Sequence, residues 1–141
     1  MLAAKEYMWQ VRKAEEDLKL IAQKRRHFME LGTDISNGLS ATPVSHSSGG
    51  SRVETAGVGL ADLITELDVK EARYKALIRE AQSMVDQLVQ PRHRQVLTLR
   101  YFCGMTFEEV SAAMEYKDPR SVYKVHGYAL QALQKLLPKT A

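Results

Sequence analysis

Residues 106–135, "TFEEVSAAMEYKDPRSVYKVHGYALQALQK", decide how this chain is read. Thr106 stands where a helix N-cap belongs, and Glu109, three residues on, completes a capping box. Phe107, Val110, Ala113 and Met114 supply the apolar set of that short helix, and "EYKD" at 115–118 makes a turn. Asp118 caps the next helix, with Pro119 in the first position, where its missing N–H costs nothing. Val122, Val125, Ala129, Leu130 and Leu133 then recur at helical spacing as one buried stripe. A short helix, a brief turn and a second helix predict a helix-turn-helix.

The opposite face of the last helix carries Arg120, Ser121, Tyr123, Lys124 and Tyr128, and Lys117 lies in the turn before it. From Pro119 to Ala141 there is no Asp or Glu, whereas helices in water ordinarily mix both signs. Arg and Lys donate to guanine edges or phosphates, and Ser and Tyr hydrogen-bond phosphates, so this face suits a DNA groove. Two other readings stay open: a solvated or protein-binding basic face, and Tyr123 and Tyr128 packed on the first half of the chain.

Upstream, "PRHRQVLTLRYF" at 91–102 predicts a helix opened by Pro91, with Val96, Leu97, Leu99 and Phe102 as its apolar positions. Gly104 supplies the left-handed turn that ends it. Arg100 suits either a phosphate contact or an ion pair with Glu108 or Glu109. Cys103, the single cysteine, reads as an ordinary helix-end residue; it excludes an internal disulfide and fits a reducing cytoplasm.

The first ninety residues have a different rhythm. Ala4, Tyr7, Val11, Ala14, Leu18, Ile21 and Phe28 form a heptad seam interrupted by Arg25, which predicts a helix over 2–31. "KRRH" at 24–27 fits the helix's last turns, and Gly32 its stop. Residues 32–56, rich in Ser, Gly and Thr, read as a flexible linker with a turn at Pro43. Leu60, Ile64, Leu67, Glu71, Tyr74, Ile78, Ala81, Val85 and Leu88 form a second seam, predicting a helix over 57–90 that Pro91 ends or bends. Pairing either helix with its own copy in register sets Arg against Arg or Glu against Glu. Pairing the first with the second avoids both conflicts. The expected architecture is therefore all-α: an antiparallel, coiled-coil-like hairpin over 1–90, then a helix-turn-helix domain over 91–141. A homodimer built from two hairpins remains open.

Charge divides along the same line. Residues 1–90 hold 12 Lys/Arg and 13 Asp/Glu; residues 91–141 hold 8 and 4, so the +3 excess lies wholly in the last third. That asymmetry suggests a polyanion-facing module on a neutral one. No apolar run reaches the roughly 20 residues of a membrane span, and the charged start does not fit a signal peptide. His27, His46, His93 and His126 lack metal-ligand spacing, and "SSGGS" has neither a preceding strand nor a Lys-Ser/Thr sequel. Neither a metal, a cofactor nor a catalytic role is expected.

"QVLTLRYFCGMTFEEVSAAM" followed by "RSVYKVHGYALQAL" resembles region 4 of bacterial sigma factors. The front portion, with its Ser/Gly-rich "TPVSHSSGG", is similar to small phage proteins of unknown or regulatory function, a neighbourhood that includes late-gene activators of the RinA and ArpU kind. The resemblance implies a phage or prophage transcription regulator in the cytoplasm of a bacterial host, binding double-stranded DNA and acting with host RNA polymerase. It places Arg120, Ser121, Tyr123 and Lys124 in groove-facing slots and Arg100 and Thr106 in phosphate-contacting slots. Two further readings accompany it: a DNA-packaging subunit like a small terminase, and a polymerase-binding module that does not touch DNA.

Overall fold

The structure, a computed structural model, describes residues 3–41 and 47–138, with backbone alone for 35–41 and 47–58. In chain order the elements are α1 (Ala4–Ala41), α2 (Ser47–Asp86), α3 (Pro91–Leu97), α4 (Phe107–Ala113) and α5 (Arg120–Leu136). A π-helical turn, Thr98–Phe102, continues α3. The fold is all-helical, as the sequence predicts. Among the described residues no helix is long and apolar enough to cross a membrane.

The long helices exceed their expected limits. Residues 32–41 and 47–56, read as linker, are helical, while the expected turn at Pro43 lies outside the described residues. Gly32 does not stop α1; it falls on the seam, where a Cβ would meet Leu60 at 4.0 Å. Thr33 stays helical by donating its hydroxyl to the Met29 carbonyl at 3.0 Å. With α1 prolonged, "KRRH" sits in the middle of the helix, so the expected last-turn role is overturned.

The chain forms two compact units, residues 17–73 and residues 1–16 with 74–141. In the first, α1 and α2 pair antiparallel. Arg25 Nη2 donates to Asp68 Oδ1 at 2.8 Å and to Glu71 Oε2, while Gly32 lies by Leu60. Ile21 and Leu67 are buried in this unit.

The second unit has one core, shared by the hairpin ends and the C-terminal helices. Tyr7, Met8 and Val11 of α1 and Ala81 and Val85 of α2 join Leu88, Val96, Leu97, Tyr101, Val110, Val122, Ala129 and Leu133. The heptad seam names most of these. Met8, fully buried, falls outside it because this stretch of α1 packs on more than one neighbour. The backbone N–H of Ala4 donates to Gln134 Oε1 at 2.7 Å, tying the start of α1 to the end of α5. After α2, Arg94 donates to the Leu88 carbonyl at 2.5 Å and to that of Val89 at 3.2 Å, closing the bend into α3.

Candidate nucleic-acid interface

Local chemistry places α4 and α5. The Thr106 hydroxyl accepts from the Glu109 N–H at 3.2 Å, and Glu109 Oε1 accepts from the Thr106 N–H at 3.4 Å, the capping box that the sequence predicts. Val110 and Ser111 are buried; Ala113, expected inside, is exposed because Ser111 occupies the inward position. Glu115 turns the chain through the left-handed region at φ 59°, unusual for a residue with a side chain. Asp118 Oδ1 then accepts from the Arg120 N–H at 3.0 Å, so Asp118 caps α5 across Pro119.

The approach to α4 is shaped by the π turn. The Cys103 N–H donates to the Thr98 carbonyl at 3.0 Å, and Gly104, at φ 72°, lets the Met105 N–H reach the Leu99 carbonyl at 3.1 Å. The Arg12 guanidinium occupies the space where a Gly104 Cβ would stand. Tyr101, absent from the expected apolar set, is almost fully buried and meets Trp9 edge-on, ring centroids 5.7 Å apart. An alternation rule fails there because the wider turn shifts the phase of the helix surface.

On α5, Arg120, Tyr123, Lys124 and Tyr128 are all exposed and Ser121 is half-buried. Tyr123 is 56% and Tyr128 60% exposed, so neither is packed under the hairpin. Tyr123 leans on Phe107, centroids 4.9 Å apart, while more than half of the residue stays open to solvent. The Arg120 side chain, 87% exposed, reaches back to Asp118 Oδ1 at 3.3 Å; such a surface contact is weak and releasable. Lys117 is exposed in the turn.

Arg100 sits elsewhere. It is half-buried, donates to the Met105 carbonyl at 2.8 Å, and lies 4.4 Å from the Phe107 ring centroid and 5.3 Å from that of Trp9. Among the described residues no ion pair joins it to Glu108 or Glu109. Its guanidinium is a structural clamp between Trp9 of α1, the turn before α4 and Phe107. Thr106 is exposed, with its hydroxyl engaged in the cap.

Below the exposed face, His126 is the residue sequence reasoning missed. Its Nε2 and the Tyr101 hydroxyl share a hydrogen bond of 2.7 Å, and its ring lies 4.9 Å from Phe107. Burial, with Arg100 and Lys5 nearby, pushes its pKa down to about 4, so near neutral pH it is an uncharged, half-buried residue. Burial likewise raises the Tyr101 phenol above its ordinary value. The four-residue step from Val122 to His126 carried the signal, since it keeps His126 on the buried stripe.

These helices are the part of the chain that matches a family model. Residues 87–120 match the family model described as Sigma-70, region 4. The matched stretch holds α3, the π turn, α4 and the turn after it, and stops where α5 begins. No curated protein and no solved structure matches the chain. A sigma-70-region-4-like helix-turn-helix therefore forms the C-terminal part of this protein.

Proposed function

We propose that the protein is a sequence-specific, DNA-binding transcription regulator of phage or prophage type that acts with bacterial RNA polymerase. Its role is binding, with no catalytic step. The observation that carries this reading is the open, cationic face of α5. Arg120, Tyr123 and Lys124 stand exposed after a capped turn, in a segment without a carboxylate side chain. DNA offers phosphates to such a face, and the base edges of the major groove suit its donors. The match to Sigma-70, region 4 supports the same reading from the scaffold side. A single helix-turn-helix gives a small interface, so tight binding calls for a second copy or a polymerase contact.

Selection of bound fragments from random double-stranded DNA tests this directly. Enrichment of one motif, with binding that weakens steeply as salt rises, is the expected result. Recovery of unenriched DNA, or no retention at low salt, rejects the reading. Mass in solution separates a monomer or dimer, expected of a regulator, from the many-membered ring expected of a packaging subunit.

A further inference from the structure

The exposed face of α5 does not end at Tyr128. Arg120, Lys124, Tyr128, Gln131 and Lys135 follow at intervals of four, four, three and four, and all five are exposed. Such spacing keeps them on one side of a helix, opposite the buried Val122, Ala129 and Leu133. Fifteen residues separate the two ends, or about 22 Å at 1.5 Å per residue. A major groove is about 12 Å wide and winds around its duplex, away from the axis of any single helix laid in it. Base edges cannot be followed over that whole length, so the C-terminal end of the stripe has to meet something else.

Beside that end lies a cleft of about 430 Å³, where the start of α3 faces the second half of α5. Gln90, Arg92, His93, Tyr128, Gln131 and Lys135 line it over an apolar floor of Val125 and Ala132, and no carboxylate does. Arg92 is exposed, its guanidinium 6.0 Å from the Tyr116 ring centroid, and neither it nor Lys135 forms an ion pair among the described residues. A cleft on α1 differs in this respect: Arg25 and Arg26 are accompanied there by Glu30 and Asp34. Two unpaired cations, amide donors and a phenol with no opposing carboxylate are the chemistry of a sugar–phosphate strand.

We propose that this cleft seats the phosphate backbone of the DNA strand bordering the groove that the N-terminal half of α5 enters, with Arg92 and Lys135 as its principal contacts. The inference rests on the DNA-binding reading above and extends it along that face to Lys135 and beyond α5 to Arg92. One helix then reads sequence with its first half and fixes register on the duplex with its last turns. Arg92, from a different element, sets the angle of that helix on the duplex.

The test measures affinity of the full chain for its selected duplex across a salt series. In Arg92→Gln/Lys135→Gln, the slope of log K against log salt should fall by about 1.8, since each phosphate contact contributes about 0.9. The motif preference should be unchanged, and Arg92→Lys/Lys135→Arg should keep the original slope. A double variant that melts like the parent and binds the duplex with the parental slope overturns the inference. Failure of the parent chain to bind any selected duplex overturns the DNA reading instead, so the two failures are told apart.

Discussion

Arg25 of α1 donates to Glu71 of α2, so the two charged interruptions of the heptad seams meet each other. The same Nη2 also serves Asp68 at 2.8 Å, and both Arg25 and Glu71 are about three-quarters covered. An isolated Arg at a helix–helix seam disfavours every pairing that does not supply a carboxylate. This pair therefore selects the partner and fixes the antiparallel register.

Charge reversal tests that role. Arg25→Glu should lower the melting temperature more than Arg25→Ala, because it sets a third carboxylate against Asp68 and Glu71. Adding Glu71→Arg should restore most of the loss. A double variant no more stable than Arg25→Glu alone would contradict a pairing role.

The helix-turn-helix should not fold as an isolated 91–141 fragment. Its core includes Tyr7, Met8 and Val11 from α1 and Ala81, Val85 and Leu88 from around the end of α2, and removing them opens one whole side. Circular dichroism of the fragment should show little cooperative unfolding. In the full chain, Met8→Ala should cost about 2–5 kcal/mol, the usual penalty for emptying a fully buried site. Urea denaturation at unchanged m-value measures it.

Arg100 and Lys124 should separate stability from binding. Arg100→Ala removes a donor to the Met105 carbonyl and two ring contacts, and should cost about 1–2 kcal/mol of stability. Lys124→Ala removes an exposed side chain and should leave stability within about 0.5 kcal/mol. Its effect belongs to DNA affinity, about 1–3 kcal/mol if it holds a base edge. Equal weakening on every sequence would reassign it to a phosphate.

The contrast between those two residues also marks how far the sequence could be read. Periodicity identified both long helices and nearly all their buried positions, because a two-helix seam repeats every three and four residues. It misplaced the helix ends, since Gly32 and the Ser/Gly-rich stretch were judged by propensity and α1 and α2 continue into them. Propensity is a small term, of order 1 kcal/mol per Gly, which packing overrides. The capping box and the open face of α5 were legible because both depend on neighbours within four residues. Tyr101, Arg94 and the inward role of Arg100 were not, because a π turn and contacts across 89 residues, as between Arg12 and Tyr101, leave no short-range pattern.

His126 gives the fold a pH dependence of definite sign. Its ordinary pKa of about 6.5 applies to the unfolded chain, and the folded value is about 4. Between those limits the unfolded chain binds more protons than the folded one, so stability rises with pH through this window and is fully present above its upper end. On acidification the charged imidazole would enter a site that already holds Arg100 and Lys5, and protonation at Nε2 would remove the lone pair available to the Tyr101 hydroxyl. Because the ring is only half-buried, the loss from neutral pH to pH 4.5 should be on the order of 1–2 kcal/mol, below the full value of the shift. Urea midpoints across that range measure it, with His126→Gln as the comparison. Gln cannot titrate, so its variant should be less stable at pH 7 and should show a flatter dependence. An equally steep dependence in the variant would assign the effect to the carboxylates instead.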